Sequence, residues 1–470
     1  MPKDLRSYID LLDEHREIVH VEKEVDPDNN IGALCHLAQE RALWMKKIKG
    51  HPGWTALAQA PANWRHMAMA FGIEQEELVF HISKLLAAPP TEPVFLNGEP
   101  VPCQEKVITG DDVDVRALPA HLQSREDGGK CISASICIVK DPDTGQYNLS
   151  YHRMMLMGKK QTGFLMLPRH MWKVYKKYED RDQPMPIAAV IGHHPGFALA
   201  GGISGSEEID EVRLAGTFLG EPLRMAKAKT IDLEVPADAE IIIEGEIPPK
   251  IRKSEGPFGE FQGYYLTGET DSPVFNVKAI TMRRDAIYKI VQSAYNTEAA
   301  IFHRVPMAVT LWNRLKQNEG GITIHNINVI PTNFTVIIQM TPGFEGQAKN
   351  TLMSALSGGY LHHKIAIAVD EDVDPFDLND VLFAISTRVN PVRDVTIISG
   401  VRNHVMDPSI TMVDPERDYM SKVQSVGSKI IIDATKPSLS HPARERFDRV
   451  VPTGWDEFDP EAFFPDEKPW

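Results

Sequence analysis

Hydrophobic and polar positions fall into three stretches of different period along the chain. In the first hundred residues, positions 18–25 alternate apolar and polar side chains, which predicts a half-buried strand. Positions 32–45 are apolar at helical spacing and predict a helix. A second helix is predicted over 74–86, stopped by Pro89-Pro90. Residues 100–118 become acidic and turn-rich around Gly110-Asp111-Asp112, which marks a boundary.

From about 130 to 290, short β-branched or apolar runs recur between turn signals, at 132–140, 148–157, 163–167, 239–246 and 274–282. The turn Asp141-Pro142-Asp143-Thr144-Gly145 separates two of them as a hairpin loop does. Helices are predicted over 170–179 and 207–218. Such spacing predicts a barrel or a strongly bent sheet rather than a doubly wound one. The last third returns to α/β, with strands over 334–340, 364–369 and 395–399 and helices over 347–356 and 377–386. The strand 364–369, the helix after it and the strand 395–399 read as one strand–helix–strand unit with a right-handed crossover. The division predicted is 1–115 (α/β), 116–305 (β-rich), 306–440 (α/β) and a Pro-rich acidic tail, 441–470. From Trp455 on, that tail carries six carboxylates against one lysine, as a disordered end or an arm across a neighbouring subunit.

Composition narrows the function. The chain has 470 residues, 42% hydrophobic and 24% charged, which is ordinary for a globular protein of two to four domains. Its 50 Lys and Arg stand against 65 Asp and Glu, and the resulting −15 repels a phosphate backbone, so no nucleic-acid partner is expected. Cys35, Cys103, Cys131 and Cys137 show no paired spacing and read as reduced thiols. The first residues are charged rather than apolar, and the least polar stretch, 186–203, contains His193, His194 and several glycines. Neither a signal peptide nor a membrane span is expected, and the predicted location is the cytoplasm.

Three places could carry chemistry. In Glu255-Gly256-Pro257-Phe258-Gly259-Glu260, two carboxylates flank a turn that neither a helix nor a central strand accommodates. A rigid turn can aim both into one cavity, where like charges push one pKa up, as a general acid at neutral pH requires. On composition alone, two solvated surface glutamates are the commoner outcome. In Asn148-Leu149-Ser150-Tyr151-His152-Arg153, strand alternation puts Asn148, Ser150 and His152 on one side and Arg153 on the other, either to grip a carboxylate or to form a structural salt bridge. His193-His194 resembles a ligand pair, but adjacent strand residues point oppositely. His170 sits at a helix start, where anions are attracted. Glu207, Glu208, Asp210 and Glu211 crowd one helical turn and read as a solvated acidic face. Nucleotide, zinc and serine-hydrolase motifs are absent from the sequence.

Taken together these motifs resemble the UbiD-like decarboxylases that use prenylated FMN. The resemblance covers residues 4–436. It rests on Asp4-Leu5-Arg6, Asp127-Gly128-Gly129, Asn148-x4-Arg153, Pro168-Arg169-His170, Asp210-Glu211, Glu244-Gly245-Glu246, Glu255-Gly-Pro-Phe-Gly-Glu260, Ser386-Thr387-Arg388 and Gly427-Ser428-Lys429. It implies a central split β-barrel flavin-binding domain and a C-terminal α/β domain that assembles a homo-oligomer, dimer or hexamer. It further implies that Asn148, His170 and Glu211 hold Mn²⁺ (or Mg²⁺) with the cofactor phosphate, with a K⁺ nearby, an oxygen-rich set suited to those ions. Arg153, Glu255 and Glu260 match the catalytic network, with Glu260 as proton donor. Ser150, Tyr151, His152 and Arg169 match positions lining the cofactor, and Lys429 a lysine near its phosphate. A flavin prenyltransferase would supply the cofactor.

The substrate implied is an aromatic or heteroaromatic acid, with CO₂ the other participant. The alternatives are an α,β-unsaturated (cinnamic-type) acid decarboxylase and a non-catalytic subunit of a carboxylase complex. Some quinone-pathway members carry Asp where Glu260 stands here. Asn296, His303 and Arg304 lie in the segment facing substrate. Arg304 and His303 either bind a second polar group of the substrate or pack in the linker.

Overall fold

A computed structural model describes residues 2–203, 209–266, 268–295, 297–316, 322–358, 360–411, 425–455 and 458–463. The chain begins with a helix, Leu5–Glu14, started by the Asp4 side chain accepting from Ser7 N at 2.9 Å. Its Leu5, Tyr8, Ile9 and Leu12, at helical spacing, are buried. Beside it lies a four-stranded sheet in the order Ile18–Val21, Ala42–Met45, Thr55–Ala58, Ile287–Lys289. The helix predicted over 32–45 is real only as Ile31–Leu37, and Ala42–Met45 is a strand. Its four residues pair in parallel with Ile18–Val21, and a short apolar run satisfies either period until a partner strand decides. The helix predicted over 74–86 is present as Leu78–Ala87 after one 3₁₀ turn.

The central sheet has eight strands, all antiparallel. The path runs Gln161–Gly163, Thr270–Met282, Ile241–Ile247, Met185–Ile191, Ile136–Lys140, Tyr147–Tyr151. Arg252–Glu255 and Lys106–Thr109 both pair with the 13-residue strand Thr270–Met282. The two ends of the path do not pair, so among the described residues the sheet is open and bent, not a closed barrel. A register shift between Glu244 and Gly245 lets the long strand serve several partners. Alternate residues feed two cores. Ile136, Ile138, Ala188, Val190 and Ile242 enter one, and Cys137, Val139, Ala189, Ile191, Ile241 and Ile243 the other. With both faces buried, these strands read as continuous apolar runs. The hairpin at Asp141 forms as predicted, Asp141 N donating to Gln146 O at 2.9 Å. Helices His170–Asp180 and Glu211–Leu219 flank the sheet. Glu207 and Glu208 of the predicted acidic turn lie outside the described residues.

Helix Glu298–Leu315 leads to a five-stranded sheet in the order Ile322–Val329, Thr335–Pro342, Ile365–Val369, Val426–Ala434, Val395–Arg402. Helix Gln347–Leu356 joins two parallel neighbours, as a crossover requires. The crossover expected between 364–369 and 395–399 is not one. Val426–Ala434 inserts between them, parallel to the first and antiparallel to the second. Val426–Ala434, with Ile431 buried, takes the inner position and leaves Val395–Arg402 at the edge. Beyond Pro437 the chain clasps its own sheet, with Arg444 on Asp370 at 2.6 Å and Arg449 on Asp380 at 2.7 Å.

Candidate active site

Strand Tyr147–Tyr151 ends at the sheet edge, and Arg153 follows it. Its Nε donates to Glu255 Oε1 at 3.1 Å and its Nη1 to Glu260 Oε1 at 3.0 Å. Glu255 is the last residue of its strand. Gly256 then adopts φ +98°, a conformation that L side chains rarely take, and the turn through Pro257 and Gly259 returns Glu260 to the same guanidinium. Phe258 covers the assembly, its ring centroid 4.2 Å from Arg153 Cζ. The two glutamates are therefore not solvated: Glu255 is 1% exposed and the Glu260 side chain 15%.

Burial holds the Glu260 carboxyl above its usual range; Arg153 opposes this, and the negative Glu255 and Asp127 add to it. For Arg153, burial favours the neutral form, but Glu260 and Glu255 outweigh it and raise its pKa. The second oxygen of Glu255 is buried without a partner. One guanidinium thus bridges two acids, one of them disposed to keep a proton, and one buried carboxylate oxygen is left without a partner.

Behind this group, Asn148 Nδ2 lies 3.2 Å from Glu211 Oε2, and Leu149 N donates to the same oxygen at 3.1 Å. Burial pushes Glu211 up to about 8, although Leu149 N and Asn148 partly offset it. Asn148 Oδ1 is buried with no partner. A buried carboxylate without a cation, beside an orphaned amide oxygen, fits a hard divalent ion. His170 is the first residue of its helix, and its neighbour Met171 packs on Ser150, Sδ to Oγ 3.8 Å. Among the described residues no group of three His, Cys, Asp or Glu side chains is gathered, so the set depends on Asn148.

Ser150 Oγ and His152 Nε2 meet at 2.9 Å, and His152 Nδ1 lies 2.9 Å from Leu165 O. Ser150 and His152 thus share a side, as strand alternation predicts. Burial holds His152 neutral, pushed down to about 4, against the Phe164 ring. The Tyr151 ring stands 5.2 Å from Phe302, its buried hydroxyl without a partner. Arg169 is the exposed N-cap of its helix. Lys429 reaches the neighbourhood from the C-terminal unit, where its charge acts on buried His363. It stands in the C-terminal sheet, donating to Leu356 O at 2.7 Å.

The two linker-helix candidates separate. His303 stays near the acidic turn, its ring 5.6 Å from that of Phe261, and burial followed by Arg169 pushes it down to about 4. Arg304 is buried elsewhere: Nε donates to Val329 O, Nη2 to Asn328 Oδ1 at 3.3 Å, and Cζ lies 5.6 Å from the Trp64 ring. Successive helical residues diverge by 100°, so both cannot face one ligand. Of the two readings open for Arg304, these buried contacts favour packing over a second-carboxylate role. Asn296 lies outside the described residues. His193 and His194 are not on a strand. His194 caps the helix Pro195–Ala200 by accepting from Gly196 N, and the His193 ring lies on Phe197.

Sequence reasoning missed His362 and His404, whose rings stack at 3.6 Å with His362 6.2 Å from Phe261. They come from separate loops of the C-terminal unit, and nothing in their local spacing announces the meeting. Asp127 was visible only as part of a motif, without a role.

The 3-octaprenyl-4-hydroxybenzoate carboxy-lyase models match in succession: the N-terminal domain over residues 9–86, the Rift-related domain over 95–295 and the C-terminal domain over 300–434. The phenolic acid decarboxylase of Sedimentibacter hydroxybenzoicus is 29% identical over 460 residues, covering 94% of this chain and 93% of that protein. The UbiD-class enzyme HmfF from Pelotomaculum thermopropionicum in complex with FMN superposes with a TM-score of 0.88 at 31% identity, covering 97% of this chain and 99% of the other. An evolved dimeric form of HmfF in complex with prFMN gives 0.86 at 29%, covering 98% and 100%. Matched along most of its length and in all three parts, the chain belongs to the UbiD family of carboxy-lyases.

Proposed function

We propose that this chain is a reversible, non-oxidative decarboxylase of an aromatic or heteroaromatic acid, working with prenylated FMN. The observation that carries it is the buried Arg153 fork between Glu255 and Glu260, with a buried Glu255 oxygen left unpaired. Family membership supports it, as do a relative named for phenolic acid decarboxylation and a structural neighbour that binds prFMN.

Loss of CO₂ from an sp² carbon leaves an anion too unstable for positioning alone to reach. Bound prenylated FMN supplies an electron sink for that pair. Arg153 orients the substrate carboxylate with its planar fork, and Glu255 fixes Arg153. Glu260, whose burial favours the protonated form, delivers a proton to the vacated carbon. Ser150, Tyr151, His152 and Arg169 line the cofactor. Asn148, His170 and Glu211 would hold Mn²⁺ or Mg²⁺ against its phosphate, and K⁺ rests on the family resemblance alone. Lys429, which donates to Leu356 O, is the proposed lysine near the cofactor phosphate. His303 faces the substrate ring.

We read the central sheet as a split-barrel cofactor domain within units divided near 115, 305 and 440, with Ile287–Lys289 lent to the N-terminal sheet and Lys106–Thr109 to the central one. The C-terminal unit is the proposed homo-oligomer surface. Val392, Ile397 and Leu382 there are 96%, 68% and 57% exposed. Four buried free thiols fit a cytoplasmic protein supplied by a flavin prenyltransferase. Among the described residues no helix is long and apolar enough to cross a membrane.

The intact acid–arginine–acid set disfavours a non-catalytic subunit. The test is oxygen-free incubation of protein co-expressed with a flavin prenyltransferase, against benzoic, hydroxybenzoic, furoic, pyrrole and cinnamic acids. Carbon dioxide from an aromatic acid supports the proposal. Release from cinnamic acids alone selects the unsaturated-acid alternative, and none from any acid rejects both.

A further inference from the structure

The turn that carries Glu255 and Glu260 is gripped from outside by the loop 124–129. Asp127 accepts from Gly259 N through Oδ1 at 2.8 Å and from Ser124 N through Oδ2 at 3.1 Å. Gly128 N donates to Pro257 O at 2.8 Å. The two backbones touch: a Cβ on Gly128 would lie 2.0 Å from Gly256 O, and one on Gly259 would lie 2.9 Å from Ser124 Oγ. Neither segment accepts a side chain at the crossing, so the loop and the turn move as one body.

We propose that Asp127 is a positioning residue for the Glu260 proton donor, fixing its turn by hydrogen bonding and setting a second acid beside it. The role rests on the decarboxylase function proposed above. Of the charged groups facing Glu260, Arg153 comes from the end of strand Tyr147–Tyr151, Glu255 from the same turn and Asp127 from the clamping loop. Arg153 draws Glu260 towards the carboxylate, and the two acids oppose it. Burial raises the Asp127 pKa, and the Gly259 and Ser124 backbone donors, the Tyr265 hydroxyl and Arg153 oppose it by favouring the ionised form. Tyr265 also closes the loop from the other end, its hydroxyl accepting from Glu126 N at 2.9 Å. Glu260 itself is tied by its backbone, N donating to Tyr264 O at 3.1 Å. Asp127 touches neither substrate nor the reacting atoms, and it acts through the turn and the field.

Charge and grip are separated by substitution. Asp127→Asn keeps one acceptor for Gly259 N and removes the charge, whereas Asp127→Glu keeps the charge on a longer stem. Removing a negative neighbour lowers the Glu260 pKa, so proton loss from Glu260 moves to lower pH by about 0.5–1 unit. The direct readout is isotope-edited infrared titration of the protonated carboxyl stretch in the full-length protein, assigned as the band lost in Glu260→Gln. The same shift is expected in the alkaline limb of kcat for flavin-loaded enzyme. Expected is a downward shift in Asp127→Asn, with KM little changed, and a return towards wild type in Asp127→Glu. A titration unmoved in Asp127→Asn, or moved equally in both variants, overturns the proposal. Should Asp127→Asn fail to fold, wild-type-like titration in Asp127→Glu supports it and a shifted one overturns it. A wild type that shows the infrared shift on substitution yet releases no CO₂ rejects the decarboxylase function and leaves the clamp standing.

Discussion

Arg153 donates to Glu260 at 3.0 Å although 107 positions separate them along the chain. The contact exists because the bent sheet brings strand Tyr147–Tyr151, at one end of the strand path, to the glycine-bounded turn after Arg252–Glu255, which pairs near the other end. It buries, against a guanidinium, a glutamate that on composition alone would be a surface charge.

Arg153→Lys keeps the charge and loses the planar fork that spans Glu255, Glu260 and the substrate carboxylate. Losing one charge-assisted hydrogen bond costs about 1.5–3 kcal/mol, so affinity for the acid falls roughly ten- to a hundredfold. Steady-state kinetics on the flavin-loaded variant check this. An unchanged KM and kcat would place substrate recognition elsewhere.

Divalent metal raises the stability of the metal-free protein through Asn148 and Glu211. At a hundredfold excess over Kd the gain is about 2.7 kcal/mol, read as a shift in thermal unfolding with Mn²⁺. Glu211→Ala abolishes that shift and also the retention of flavin. Glu211 has a pH signature of its own in metal-free protein. Its folded value, about 8, lies above the ordinary carboxylate range, so the unfolded chain gives up this proton first. Its contribution is present below that range and is lost as pH rises through about 8. Metal-free Glu211→Gln should therefore lose less stability than wild type between pH 6 and 9, measured by urea unfolding.

Arg304→Ala removes a buried donor from Val329 O and Asn328 rather than a ligand for substrate. The expected loss is about 1.5–3 kcal/mol of unfolding free energy. Residual activity on mono- and dicarboxylic acids falls in the same proportion. A dicarboxylate penalised alone would return Arg304 to the pocket.

Elements marked by local chemistry were legible in the sequence. Helix Gln347–Leu356 lies where its periodicity puts it, and the Asp141 hairpin closes where Asp, Pro and Gly require a turn. Glu255 and Glu260 were found because Gly-Pro-x-Gly is punctuation no regular element absorbs. The misses share a cause, which is long-range pairing. Ala42–Met45 takes its state from Ile18–Val21, and Val426–Ala434, with Ile431 buried, displaces Val395–Arg402 from the inner position. For His303 and Arg304 the sequence left substrate binding and packing both open, and only the tertiary contacts separate their surroundings. His362 and His404 meet only through the tertiary fold, so no local period reports them.

The most direct measurement follows the proton. Flavin-loaded wild type and Glu260→Gln are incubated in D₂O with an aromatic acid that the wild type accepts, and CO₂ and deuterium at the vacated carbon are counted together. Wild type should place one deuterium for each CO₂ released. Glu260→Gln keeps shape and hydrogen bonding without a comparable acid, and should lose about 10²–10⁴-fold in net turnover, with deuterated product falling equally. Near wild-type deuteration by Glu260→Gln would contradict Glu260 as the donor.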